Sequence, residues 1–90
     1  MYRATVVARQ TAGGAGTVGQ GAAYVRVYMV RRIGGTTTFL GSETTTTKEN
    51  DANWDCIFEL SGNDVLLSVQ GVADQTITWH ATIIKQTVGT

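Results

Sequence analysis

Val65 to Lys85 reads VLLSVQGVADQTITWHATIIK, and the fold turns on how this stretch is taken. Two apolar runs, Val65 to Val69 and Thr76 to Ile84, flank a short break from Gly71 to Gln75 that is rich in turn formers. Runs of β-branched and aromatic residues bounded by Gly and Asp read as strands. The second run alternates strictly, so Ile77, Trp79, Ala81 and Ile83 share one face, and Thr76, Thr78, His80 and Thr82 share the other. The simplest pairing of the two runs is a β-hairpin whose inward face is Leu67, Val69, Ile77, Trp79, Ala81 and Ile83. That hairpin is expected to be the central ribbon of an all-β module.

Working outward, the rest of the chain repeats the same signals. Tyr2 to Gln10 alternates loosely as a strand with Arg3 and Arg9 on its polar side. Thr11 to Gly21, TAGGAGTVGQG, reads as a flexible loop. Its Gly14, Gly16 and Gly19 match G-x-G-x-x-G, but a phosphate cradle needs a helix straight after the glycines and an acid about 20 residues on. A β-rich run follows instead, and the first acid is Glu43. Ala22 to Ile33 is the longest early strand. Gly34-Gly35 is a hairpin turn, Thr36 to Leu40 returns, Gly41-Ser42 breaks, and Glu43 to Lys48 continues as a Thr-rich edge. Trp54 to Leu60 alternates again, and Ser61 to Asp64 is a tight turn into the closing ribbon. The pattern predicts an antiparallel β-sandwich, jelly-roll-like, of about seven or eight short strands. Residues 1–90 make one domain, with 1–21 as an N-terminal strand and Gly-rich loop and 22–88 as the main module.

Composition narrows the function. Hydrophobic residues make up 42% of the chain, and there is no proline. A chain this size buries roughly 60–68% of its unfolded surface, enough for one modest core. Cys56 is the only cysteine, so no intrachain disulfide forms; it reads as a buried thiol. No apolar run approaches the roughly 18–20 residues that span a bilayer, so membrane insertion is not expected, and neither is a signal sequence. The formal net charge is zero, unlike the basic balance of nucleic-acid-binding domains. The charge is uneven, however: residues 1–42 hold five arginines and no acid, and residues 43–90 hold all seven acids and two lysines. Complementary surfaces within a fold or between subunits fit that asymmetry.

Catalysis needs converging titratable groups. Here the acids fall in turns or at alternate strand positions, and the only histidine, His80, neighbours Trp79 on an apolar strand. His80 reads as an outward or interfacial residue. A three-histidine site on the axis of a symmetric trimer is the other option weighed for it. No catalytic group, cofactor or metal is expected. Between Tyr24 and Val30 both strand faces carry large groups, which suggests that the face of Tyr24, Arg26, Tyr28 and Val30 meets another subunit. Trp54 with Asn50, Asp51 and Asn53 beside it is the candidate glycan contact.

The spaced ribbon Leu67-x-Val69-x-Gly71-x-Ala73-x-x-Thr76-Ile77-x-Trp79-x-Ala81-x-Ile83 resembles the closing strands of small β-sandwich modules in bacteriophage tail fibres, tailspikes and related virion proteins. The Ala-Tyr pair at 23–24, the Gly-Gly turn followed by a Thr strand, and Trp54-Asp55 opening a strand are similar too. The resemblance covers Ala22 to Thr87 and departs at His80, where a small or apolar residue is expected. It implies a non-enzymatic structural module, homotrimeric, serving assembly or host-surface attachment in a virion put together in the host cytoplasm. Its partners would be copies of itself, other virion proteins and a bacterial surface glycan. The alternative is a carbohydrate-binding β-sandwich outside a virion.

Overall fold

Period-2 alternation with Thr, Val and Ile enrichment favours extended backbone over helix, and the structure, a computed structural model that describes residues 1–88, holds six strands and no helix among those residues. Residues 89 and 90, the end of the expected 1–90 domain, lie outside the described residues. The strands are β1 (Tyr2–Ala12), β2 (Gly21–Ile33), β3 (Thr36–Glu49), β4 (Asp55–Ser61), β5 (Asp64–Gln70) and β6 (Thr76–Lys85). They form a four-stranded sheet in the order β3-β2-β1-β6 and a two-stranded sheet of β4 and β5, with every pair antiparallel. Three consecutive strands with a fourth returning beside the first is the Greek-key order, and the β4–β5 hairpin occupies the long connection. β1 is an inner strand of the sheet, so the N-terminal segment belongs to the same unit as the rest.

Two expectations are corrected. The strand count is six because Gly41-Ser42 does not break the chain. β3 runs on for 14 residues and absorbs its irregularity in two bulges, which leave Leu40 and Thr45 without partners on β2. The closing ribbon is also not a hairpin. β5 pairs with β4, and β6 pairs with β1 along most of its length. The intervening stretch carries the chain from one layer to the other. It is held by a hydrogen bond from the Gln75 amide to the Val72 carbonyl and by Asp74, whose φ is 61° and whose carbonyl accepts the Ala15 amide.

Both tight turns use glycine where positive φ is required. Gly34 and Gly35 sit at 59° and 80°, the double positive of a type I′ hairpin. The β4–β5 turn has Gly62 at 59° and Asn63 after it. Asn63 Oδ1 accepts the Thr37 amide at 2.9 Å, and its Nδ2 donates to the Gly35 carbonyl at 3.1 Å, so the two hairpin tips are clamped together.

The hairpin packs on one face of the sheet. Ala4, Val6, Tyr24 and Cys56 are fully buried between the layers, with Ala22, Phe58, Leu67 and Trp79 packed around them. All seven aromatic residues lie on this inner side in two clusters. Trp79 stands between Tyr24 and Trp54, with ring centroids at 6.3 and 6.1 Å. Phe58 meets Tyr2 and Tyr28, and Tyr28 meets Phe39. The cover is partial. β4 lies over β2, and Ile57 and Phe58 share a cleft with Ser42, Glu43 and Thr44 of β3. β5 lies on the other side of β4, with Leu67 packed on the core, and among the described residues no further strand extends the two-stranded sheet past it. The expected inward face of β6 is consequently split: Ile77 and Trp79 are half-buried, whereas Ala81 and Ile83 are exposed.

Candidate functional site

Arg26 faces inward on β2, at the bulge that leaves Thr45 of β3 without a partner. Its Nε donates to the Cys56 carbonyl at 2.7 Å and its Nη1 to the Thr46 carbonyl at 2.6 Å, with a longer bond to its own Val25 carbonyl. The guanidinium lies 4.9 Å from the Tyr24 ring centroid and 3.7 Å from Asp55 Oδ1. Arg26 thus ties the bulged edge of the sheet to the free edge of β4. Tyr24 donates its hydroxyl to Glu49 Oε2 at 2.7 Å. Burial first, and the Glu49 carboxylate second, push its phenol well above the ordinary 10.0.

These positions correct the expected subunit contact. Tyr24, Arg26 and Tyr28 are 0%, 4% and 6% exposed, so they are not a surface open to another chain, and Val30 is half-buried. The second apolar face of β2 is explained inside the chain, because the hairpin lies on it. The outward face is Ala23, Val25, Val27 and Met29, each half-shielded by its neighbours.

The expected glycan contact is corrected as well. Trp54 is 1% exposed and donates its Nε1 to Gln75 Oε1 at 2.7 Å. Gln75 Nε2 donates to Asp51 Oδ2, and Asp51 Oδ1 accepts the Asn53 amide. That backbone bond, followed by the one from Gln75, holds the Asp51 carboxyl below its usual range. Asn50 Oδ1 accepts the Gly21 amide. The polar side chains lock a loop and offer a sugar no aromatic platform.

The Gly-rich loop folds around a side chain that the sequence reading passed over. Gln10 is fully buried at the end of β1. Its Nε2 donates to the Ala12 and Ala15 carbonyls at 3.1 and 2.7 Å, and its Oε1 accepts Gln20 Nε2 at 2.7 Å. A Cβ on Gly16, whose φ is +66°, would meet Gln75 Nε2, Gln20 Nε2 and Gln10 Oε1 at 2.5, 2.7 and 2.8 Å. The glycine is there for close approach to glutamines, and these fill the space a phosphate would need. A glutamine at an alternating apolar position, eight residues before Val18-Gly19-Gln20, was the available signal.

Cys56 and His80 do not meet. The thiol is buried between the layers, and burial raises its pKa; His80 points outward from the other face of the sheet. Among the described residues no three His, Cys, Asp or Glu side chains come together to hold a metal ion. A shallow cleft of 140 Å³ on the outer face of the hairpin, lined by Asp55, Ile57, Ser68, Val69 and Gln70, falls short of the ~300–1,000 Å³ of a small-molecule site.

What the fold does leave open is one flank. β6 is the terminal strand of the four-stranded sheet, so one row of its main-chain donors and acceptors has no partner strand. On that strand Ile83 and Ile84 are 49% and 58% exposed. The opposite edge, β3, is bulged twice, carries Glu43, Lys48 and Glu49, and gives its Thr46 carbonyl to Arg26. Comparison with known proteins finds no match among protein-family models, curated proteins or solved structures.

Proposed function

We propose that this chain is a non-enzymatic structural module that assembles with copies of itself, of the kind found in bacteriophage tail fibres and tailspikes. Its finer architecture on this reading is a small β-sandwich, with the β4–β5 hairpin as a narrow second layer over a Greek-key sheet. The observation that carries the reading is the open flank: an unpaired terminal strand bordered by exposed aliphatic side chains, in a chain whose polar clusters are all engaged in holding its own loops. A place in a virion and contact with other virion proteins follow from the resemblance of the Leu67–Ile83 ribbon. Three copies is the number that resemblance implies.

Light scattering of the purified chain at tens of micromolar tests the reading. A mass of several copies supports it, and a monomeric mass overturns it. A glycan array then separates attachment from assembly alone. With Trp54 buried, the assembling chain is expected to bind no glycan through the Trp54 loop. Array binding abolished by Asn53→Ala would restore the carbohydrate-binding alternative.

A further inference from the structure

We infer that the β6 edge pairs with the β6 edge of a second copy, antiparallel, with His80 facing its own counterpart across a two-fold axis. The inference rests on the assembly reading and names the surface that performs it. An exposed edge strand is a template for another strand, and proteins that avoid such pairing guard their edges with charge, proline or bulges. β6 has none of these guards between Thr76 and Ile84, a stretch without Asp, Glu, Lys or Arg, whereas β3 has two bulges and three charges. Within the four-stranded sheet, the β3 edge is guarded and the β6 edge is not.

The sequence of β6 fits itself. In a two-fold pairing centred on His80, inward Trp79 falls opposite Ala81 and Ile77 opposite Ile83, large against small and branched against branched. On the outward side Thr78 falls opposite Thr82, and Thr76 opposite Ile84. Lys85 meets Gln75, so no like-charged carboxylates or ammonium groups oppose each other. Cross-strand pairs of these kinds stabilise a sheet, and an isologous contact asks for this kind of self-complementarity. The pairing also covers the exposed inward positions of β6, because Ala81 and Ile83 of each copy come to lie opposite Trp79 and Ile77 of the other. The chain exposes 5812 Å², about 700 Å² more than a compact monomer of its mass. One partner of a standard interface buries about 800 Å².

The test uses charge in trans. Thr78 and Thr82 are exposed on the outer face of one strand, too far apart along it to touch, but each faces the other across the proposed axis. Thr78→Glu with Thr82→Glu sets like charges opposite each other twice, and is expected to weaken association by about tenfold or more. Thr78→Glu with Thr82→Lys sets opposite charges there and is expected to restore the parent mass, which also shows that the strand tolerates both substitutions. In a third variant, His80→Cys is expected to give a disulfide-linked pair under air oxidation, since opposed residues on adjacent strands come within disulfide reach. Thr45→Cys on β3 is expected to give none. The parent mass should be an even number of copies: two, or six where pairs join three-fold rings. A monomeric parent overturns this inference together with the assembly reading. A mass of three copies, or an even mass indifferent to the Glu pair, overturns the edge assignment alone.

Discussion

At the scale of the residue, Arg26 is the buried charge that ties the two sheets together through main-chain carbonyls. A buried guanidinium is tolerated only when its hydrogen bonds are satisfied, and here the acceptors are main-chain carbonyls of Cys56 and Thr46 that no side-chain change can remove. Arg26→Met keeps much of the apolar stem and strands those acceptors. Hydrogen bonds to charged groups contribute about 1.5–3 kcal/mol each, and orphaned buried acceptors cost a similar amount. Arg26→Met is therefore expected to lower stability by about 2–4 kcal/mol in urea titration, with an unchanged denaturant slope; a midpoint equal to the parent's would remove Arg26 from this role. Tyr24 makes a second claim, about pH. Folding raises its pKa above the ordinary 10.0, so the neutral phenol is the form the fold prefers. Its contribution is complete below pH 10 and declines as pH rises above that value, because the unfolded chain releases the proton more readily. Tyr24→Phe loses the bond to Glu49, worth about 1 kcal/mol at neutral pH, but has no phenol to ionise. Its urea midpoint is expected to fall below the parent's at neutral pH and to converge on it by pH ~11. Parallel curves would contradict the assignment.

At the scale of the element, Asn63 joins two hairpin tips that are far apart in sequence. Asn63→Ala removes the acceptor of the Thr37 amide and the donor to the Gly35 carbonyl. Both groups are exposed, so the expected loss is small, about 1 kcal/mol, and local. Amide exchange at Thr37 should speed up severalfold while exchange at Val6 in the core changes little; equal acceleration at both would mean that the tips are not separately hinged. The strands themselves were legible in the sequence. Alternation placed β1, β2, β4, β5 and β6 close to their observed limits, and Gly34-Gly35 gave its hairpin. Pairing was not legible. The stretch from Gly71 to Gln75 has the composition of a hairpin turn but crosses between layers, and only contacts with distant Ala15, Asp51 and Trp54 decide that. The candidate sites failed for a related reason. Tyr24, Arg26 and Tyr28 read as a surface because their cover, the hairpin of β4 and β5, lies some 30 residues on. Arg26 has the composition of a solvated residue and the environment of a core one. His80, expected outward or interfacial, is exposed on the face opposite Trp79, because strict alternation fixes its face whatever the strand pairs with.

At the scale of the molecule, shape sets how much of the stability the chain can supply alone. The body measures 51 × 21 × 17 Å, with a radius of gyration of 15.2 Å, against about 12 Å for a compact chain of this length. The length arises because β2 and β3 run on past Tyr2, the end of β1, as a two-stranded arm with only the β4–β5 turn clamped to it. An elongated body covers less of its apolar surface, and the fully enclosed core is the small group around Val6 and Tyr24. Pairing through β6 would add burial where that core is open, so folding and association should be linked and the melting temperature should depend on concentration. Unfolding entropy is about 2.1 cal/mol/K per residue, and a tenfold change in concentration corresponds to about 1.4 kcal/mol. For two chains melting together, the expected shift is about 3–4 °C per tenfold rise in concentration. Scanning calorimetry across a hundredfold concentration range reads it directly. The parent should climb with concentration, and the variant carrying Thr78→Glu and Thr82→Glu should melt lower, with a flat dependence. A parent whose melting temperature does not move over that range would mean that the exposed flank contributes nothing to the fold's stability through a second copy.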